Sequence, residues 1–413
     1  MTDSAGIPGG TDAAGGSPRP PLSRRHRLLR WIGLGAVLLV LGGSATGWWL
    51  YNKLDGNITE DASAAAELRR YERERPAHLA TGAQNVLLIG SDSRSGEENA
   101  RYGQDRGTQR SDTTILLHLP ADRKSATAVS IPRDLMARIP ACLKADGSRT
   151  TEQLAQFNWA FQWGGAACTI RTVERLTGIR IDHHMVIDFG GFKKMVDAIG
   201  GVEVCLKAPV NDTEAKLKLP SGRQLLAGEQ ALGYVRARYS LGNGSDTERM
   251  ERQQQFLGSL VKKVQSNGVL LNPARLYPLL DAATSSVTTD PELASLRGLY
   301  ELVRGARNIP TDQVKFLTVP RKPYAADPNR DELVEPDAER LFEQLRTDRP
   351  VTVTPPAPDT GTGTARAEAT PEADGGQDRE RDEEGGTAGQ GTGTPSAPVP
   401  TFTGTTAGTA DCR

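Results

Sequence analysis

The sequence predicts an α/β domain carried behind one membrane-spanning helix. From Asn85 to about Pro350, short apolar runs rich in β-branched residues alternate with stretches of helical periodicity. Ahead of them, Trp31 to Tyr51 contains no charged residue. Only 37% of the 413 residues are hydrophobic, with 44 Gly and 26 Pro, which predicts a compact middle between disordered ends.

Residues 1–27 have almost nothing to bury and read as a disordered cytoplasmic tail. Its last part carries Arg24, Arg25 and Arg27, and Arg30 follows. The apolar run is roughly 31 Å long as a helix, enough to cross a bilayer core. Trp31 at one end and Trp48, Trp49 and Tyr51 at the other suit the two interfaces. Beyond the run lie Asp55, Glu60, Asp61 and Glu67, so the positive-inside bias places the N-terminus in the cytoplasm and the domain outside. The expectation is a single-pass cell-membrane protein whose span is 28–51. Ser23-Arg24-Arg25 and the small residues near Ser44 to Thr46 raise a cleaved signal as the alternative, but the run continues through Leu50, which favours a retained anchor. Residues 52–83, Ala-, Glu- and Arg-rich as far as Pro76, read as a juxtamembrane helix or stalk, and 84–350 as the folded domain. From 351 to 413 the Thr-, Gly- and Pro-rich composition reads as a disordered tail.

Val86 to Ile89, Thr113 to Leu119 and Thr127 to Ile131 are strand-like. The turn Pro120 to Lys124 makes the last two antiparallel neighbours. If the first also runs antiparallel to the second, then Gly90-Ser91-Asp92-Ser93-Arg94, Arg110-Ser111-Asp112 and Pro132-Arg133-Asp134 share one sheet edge. Ligands of open α/β sheets bind in such crevices. A second cluster spans Tyr234 to Gln253. Arg236 and Arg238 are two apart, so an extended backbone puts both on one face. After Gly242-Asn243-Gly244, Ser245 or Asp246 can cap a helix carrying Arg249, Arg252 and Gln253 at spacings of three and four. Converging arginines beside a helix N-terminus suit a large anion. The alternative is an exposed basic helix paired with Glu248 and Glu251. Aspartates among arginines suggest a divalent cation, Mg²⁺ or Mn²⁺, bridging carboxylates and phosphate. Phosphoryl transfer asks the protein mainly for alignment and charge neutralisation.

Residues 85 to about 265 resemble the LytR-CpsA-Psr family of cell-wall glycopolymer transferases, of the actinobacterial type. The motifs are Gly90-Ser91-Asp92-Ser93-Arg94, Arg110-Ser111-Asp112-Thr113, Ser130-Ile131-Pro132-Arg133-Asp134, Asp197-Ala198-Ile199-Gly200-Gly201-Val202, Gly228-Glu229-Gln230-Ala231-Leu232, Arg236-x-Arg238 and Arg249-x-x-Arg252-Gln253. The resemblance implies an α/β/α sandwich with a mixed central sheet and an apolar tunnel for a polyprenyl chain. It implies transfer of a polyprenyl-pyrophosphate-linked glycan to peptidoglycan through a phosphodiester. By matching motif, Asp92 and Asp112 would organise the metal ion. Arg110, Arg133, Arg236 and Arg238 would clamp the pyrophosphate, with Arg249, Arg252 and Gln253 contacting the substrate. Where the family commonly has Lys-x-Asn-x-Ala, this chain has Gln156-Phe157-Asn158-Trp159-Ala160, which removes a basic contact.

His183 and His184 beside Asp182 look metal-like, but adjacent strand residues point to opposite faces, so a structural role is expected. Outside the membrane Cys142, Cys168 and Cys205 can oxidise. Cys142 with Cys168 is the expected pair, and Cys412 is left free. Rival functions are a polyprenyl-pyrophosphate phosphatase using water as acceptor, a regulator of transcription, and a non-catalytic lipid-glycan binder. A net charge of −1 and a basic cluster that follows the anchor argue against nucleic acid as a partner.

Overall fold

The computed structural model describes residues 24–78, 82–92, 110–237, 246–266, 273–355 and 400–409. The chain divides into two compact units, Met1–Lys53 and Leu54–Arg413. The first is dominated by helix α1 (Arg24–Asn57), which runs on into the start of the second. Among the described residues, α1 is the one helix long and apolar enough to cross a membrane, with a mean hydropathy of 1.8 over an 18-residue stretch within Leu28–Asn57. Trp31, Leu39 and Trp48 are exposed on it. A helix apolar all round is stable in an apolar surrounding rather than in water.

The second unit is built on a nine-stranded mixed sheet. Its strands are β1 (Thr59–Glu60), β2 (Gln84–Ser91), β3 (Ser111–Leu119), β4 (Ala126–Ile131), β5 (His183–Asp188), β6 (Val287–Thr289), β7 (Val314–Thr318), β8 (Thr352–Thr354) and β9 (Thr401–Thr406). They lie in the order β1-β6-β5-β2-β3-β4-β7-β9-β8. The pairs β2–β3 and β3–β4 are antiparallel, the second as its five-residue turn requires, while β5 and β7 flank them in parallel.

Period-two alternation sorts the side chains onto two faces. Leu87, Ile89, Leu116 and Val129 pack beneath α2 (Ala62–Arg70), α3 (Asn158–Thr177) and α8 (Glu335–Arg346). The opposite face carries Leu88, Ile115, Leu117 and Phe316. It meets Leu257 and Val261 of α6 (Asp246–Ser266) and Leu302 of α7 (Leu296–Ala306). A further core joins α4 (Phe189–Ala198), α5 (Gly228–Arg236) and Phe256 of α6 to the hairpin of Val202–Leu206 with Gly222–Leu226. Helices on both faces of a mixed sheet make the α/β/α sandwich.

Two segments differ from their sequence reading. Residues 52–83 are no free stalk, because Ala64 and Leu68 of α2 are buried in the main core and β1 joins the sheet beside β6. The C-terminal region is not wholly disordered: β9 pairs antiparallel with β7, and β8 lies parallel to β9. Residues 356–399 lie outside the described residues. The disulfide Cys142–Cys168 forms as expected, and Cys205 is also disulfide-bonded. Cys412 lies outside the described residues.

Both histidines of the His183-His184 pair have structural partners. His184 Nε2 stands 3.6 Å from Asp61, and His183 Nδ1 3.2 Å from Asp290 Oδ1. Burial alone would lower the His183 pKa, but the hydrogen bond and charge of Asp290 outweigh it and raise it. A raised imidazole pKa stabilises the fold fully below the unfolded value, about 6.5, and loses that contribution as pH rises through the folded value. Thermal melts between about pH 5.5 and 8.5 should therefore fall more steeply for the wild type than for Asp290→Asn. Equal slopes would show that the pair contributes nothing.

Candidate functional site

The edge drawn from the three strands is present. Ser91 registers with Ser111 and Thr114 with Ile131, which brings Asp92, Asp112 and the segment after β4 to the same end of the sheet. Asp92 closes a turn on Arg110: its N–H donates to the Arg110 carbonyl at 3.0 Å, and its carboxylate accepts from the Arg110 N–H at 2.5 Å. Arg110 Nε donates to Gln162 Oε1 at 3.2 Å, from just before the Gly164-Gly165 break in α3.

Arg133 spans two carboxylates. Its Nη1 lies 3.3 Å from Asp112 Oδ1 and its Nε 3.0 Å from Asp134 Oδ2. Asp134 in turn accepts from Gln156 Nε2 at 2.6 Å and pairs with Arg330 at 3.7 Å. The amide of Gln156, which stands where the family commonly has lysine, is thus spent on holding the group that orients Arg133.

Two helices complete the site. A cavity of about 220 Å³ is lined by Asp112, Asp212, Glu214, Arg236, Arg249 and Gln253. Arg236 is the last helical residue of α5, because Ala237 turns extended at ψ 136°. It therefore leaves a helix end rather than a strand, and its guanidinium lies 4.4 Å from the centre of the Phe189 ring. Arg249 is buried, and Gln253 Nε2 donates to the Val235 carbonyl at 3.2 Å. Arg252 is not brought into the cavity. It is buried and donates to the Ala237 carbonyl, so it supports the backbone at the end of α5. Arg238 lies outside the described residues.

Asp212 and Glu214 went unremarked in the sequence, as did the supporting contacts of Gln162 and Asp134. Asp212 ends the strand Val210–Asp212 and accepts from the Ala215 N–H at 2.8 Å. An isolated acidic pair between short strands carries no spacing signal, and only the fold brings it to the arginines.

The donor set suits a hard cation, since every anionic group on the cavity wall is a carboxylate. No group of three or more His, Cys, Asp or Glu forms a metal cage among the described residues. Mg²⁺ commonly takes one or two carboxylates and completes its shell with phosphate oxygens and water. Asp112, with Asp92 one residue beyond its paired strand, fits that requirement.

Carboxylates and guanidinium groups converge on a small cavity at a sheet edge, an arrangement suited to an anionic ligand. Residues 54–347 match the LytR_cpsA_psr family, and the chain belongs to it. It is 34% identical over 320 residues, 71% of this chain and 60% of the relative, to cell wall biosynthesis protein LcpA of Corynebacterium glutamicum. It is 35% identical over 283 residues to the probable cell wall biosynthesis protein LcpB of the same organism, covering 66% of this chain and 64% of that one. The polyisoprenyl-teichoic acid–peptidoglycan teichoic acid transferase TagT of Bacillus subtilis is 27% identical over 304 residues, 70% of this chain and 87% of the relative. The chain thus spans less than two thirds of the length of the two corynebacterial relatives. The crystal structure of B. subtilis TagV superposes with a TM-score of 0.52 at 24% identity, covering 65% of this chain and 99% of that one. That likeness matches the α/β fold.

Proposed function

We propose that the chain is a membrane-anchored phosphotransferase that moves a glycopolymer from a polyprenyl-pyrophosphate carrier to peptidoglycan, with its N-terminus in the cytoplasm and its catalytic domain outside. The observation that carries this reading is the single cavity shared by Asp112, Arg236, Arg249 and Gln253, with Arg133 paired to Asp112 at its rim. Membership of the family, the names of the relatives and the apolar helix α1 support it.

In this reading Arg236 and Arg249 hold the pyrophosphate oxygens, with Arg133 and Arg110 at the edge. An acceptor hydroxyl oxygen bonds to the glycan-bearing phosphorus, the bond from that phosphorus to the bridging oxygen breaks, and the hydroxyl proton passes through solvent to the polyprenyl phosphate that is released. The guanidinium groups neutralise charge on the leaving phosphate and on the oxygens around the reacting phosphorus. Asp92 and Asp112 would hold Mg²⁺ or Mn²⁺, which supplies further neutralisation of phosphate charge. The half-buried Leu88, Leu117, Leu257, Val261 and Leu302 line the sheet face where an isoprenoid chain would lie.

Asp112→Asn should reduce transfer from a synthetic polyprenyl-pyrophosphate glycan to a peptidoglycan oligosaccharide by at least about a hundredfold, a barrier increase of about 2.7 kcal/mol. Its melting temperature should stay near wild type, since the Asp112 side chain is one-third exposed. A normal rate in this variant would remove the carboxylate from the mechanism. Release of polyprenyl phosphate at the same rate without any acceptor would favour the phosphatase instead.

A further inference from the structure

The outer face of α6 borders a second cavity, about 750 Å³, that no step above uses. Its floor is polar and ordered: Gln254 is buried and its Nε2 reaches Thr318 Oγ1 at 3.0 Å and Ser130 Oγ at 3.2 Å. At one end Arg321 pairs with Asp331 and donates to Thr247, near the start of α6. Glu251 projects from α6 beside Gln255 into the same space. It has no hydrogen-bond or ion-pair partner among the described residues, and burial together with Glu248 holds its carboxyl above the usual range. The far wall is β9 and the turn after it, through Thr403, Thr405 and Thr409.

The chemistry of the lining selects a ligand class. An isoprenoid would leave the buried Gln254 amide and the charges of Glu251 and Arg321 against hydrocarbon. This cavity offers amides, hydroxyls and charges of both signs beside a substantial apolar surface from Val204, Tyr234, Val319 and the prolines Pro320, Pro323 and Pro355. Such a surface pairs donors and acceptors of a polyhydroxylated, N-acylated sugar chain. Its position also fits an acceptor. The Asp331 N–H donates to the Asp134 carbonyl at 3.2 Å and Arg330 pairs with the Asp134 carboxylate, so the cavity's end wall is tied to the residue that orients Arg133.

We propose that this second cavity binds the acceptor glycan strand, and that the C-terminal strand β9 is present to build its outer wall. The proposal rests on the transferase reading above. The wall is seated closely: a Cβ at Gly404 would lie 2.5 Å from the Phe316 carbonyl oxygen, so β9 can pack here only with glycine at that position.

The test uses the full chain in detergent micelles, with Glu251→Ala/Gln255→Ala and, separately, Gly404→Val. Calorimetry with a soluble N-acetylated peptidoglycan glycan fragment should show binding to wild type and at least about tenfold weaker binding to both variants. In the transfer assay the acceptor KM should rise about tenfold in the double variant, while the donor KM and donor breakdown without acceptor stay unchanged. Fragment binding equal in wild type and the double variant, or absent from wild type, would overturn the proposal. Because Glu251 is half-buried and Gln255 exposed, the double variant should melt as wild type does and keeps the test open even if Gly404→Val fails to fold. If wild type binds the fragment but transfers nothing to it, the transferase reading fails while the glycan cavity stands.

Discussion

Arg133→Lys should lower the transfer rate about ten- to a hundredfold while moving the melting temperature by no more than about 2 °C. The guanidinium donates from two nitrogens in one plane, to Asp112 at 3.3 Å and to Asp134 at 3.0 Å. A lysine ammonium is a compact point charge that cannot reproduce both directions. A charge-assisted hydrogen bond from the guanidinium to a phosphate oxygen contributes about 1.5–3 kcal/mol, and losing one such bond in the transition state gives the stated fall in rate. Stability should change little, because the ammonium can keep one of the two ion pairs and no core packing is removed. Transfer and melting would be measured beside Arg70→Lys, an exposed control on α2. A wild-type rate would mean that Arg133 supplies only positive potential. A lost rate with a large drop in melting temperature would make it a residue of the fold.

The sheet edge was legible because strand pairing is local. Three β-branched runs and a five-residue turn leave one antiparallel arrangement for β3 and β4, and that arrangement puts Asp112 beside Arg133. Helical spacing was a blunter guide on α6. Arg249 and Gln253 are four apart and share the cavity, whereas Arg252, between them, rotates far enough to reach the Ala237 carbonyl. The extended reading of Arg236 failed because burial of Ala231, Leu232 and Tyr234 carries α5 one residue beyond Val235. The C-terminal strand was hidden by composition. Backbone pairing supplies most of its attachment, and burial of Phe402 and Ala407 suffices to seat a threonine-rich segment that reads as unstructured. Asp212 and Glu214 reach the site only through tertiary packing.

Glu174→Ala should lower the melting temperature by about 10 °C, although residue 174 is remote from the cavity. The supposed stalk is clamped to the domain here. Arg75 donates from Nη2 at 2.7 Å and from Nε at 3.0 Å to the Glu174 carboxylate, which also accepts from the Ile181 N–H at 3.0 Å. The Glu174 side chain is buried and that of Arg75 is 10% exposed. Burial opposes the charge of Arg75, but Glu174 more than offsets it and raises the guanidinium pKa. Removing one partner of a buried pair costs about 3–5 kcal/mol, because the other is left desolvated. At about 2–4 °C per kcal/mol for a domain of this size, the expected shift follows. Glu72, 3.4 Å from Arg75 and half-exposed, can recover only part of that loss. Glu174→Gln keeps an acceptor for Ile181 and should fall between the variant and wild type. Proteolysis between Arg70 and Arg75 should accelerate in step with the loss of stability if the segment is released. A melting temperature within about 1 °C of wild type would show that the Arg75–Glu174 pair does not hold this segment to the domain.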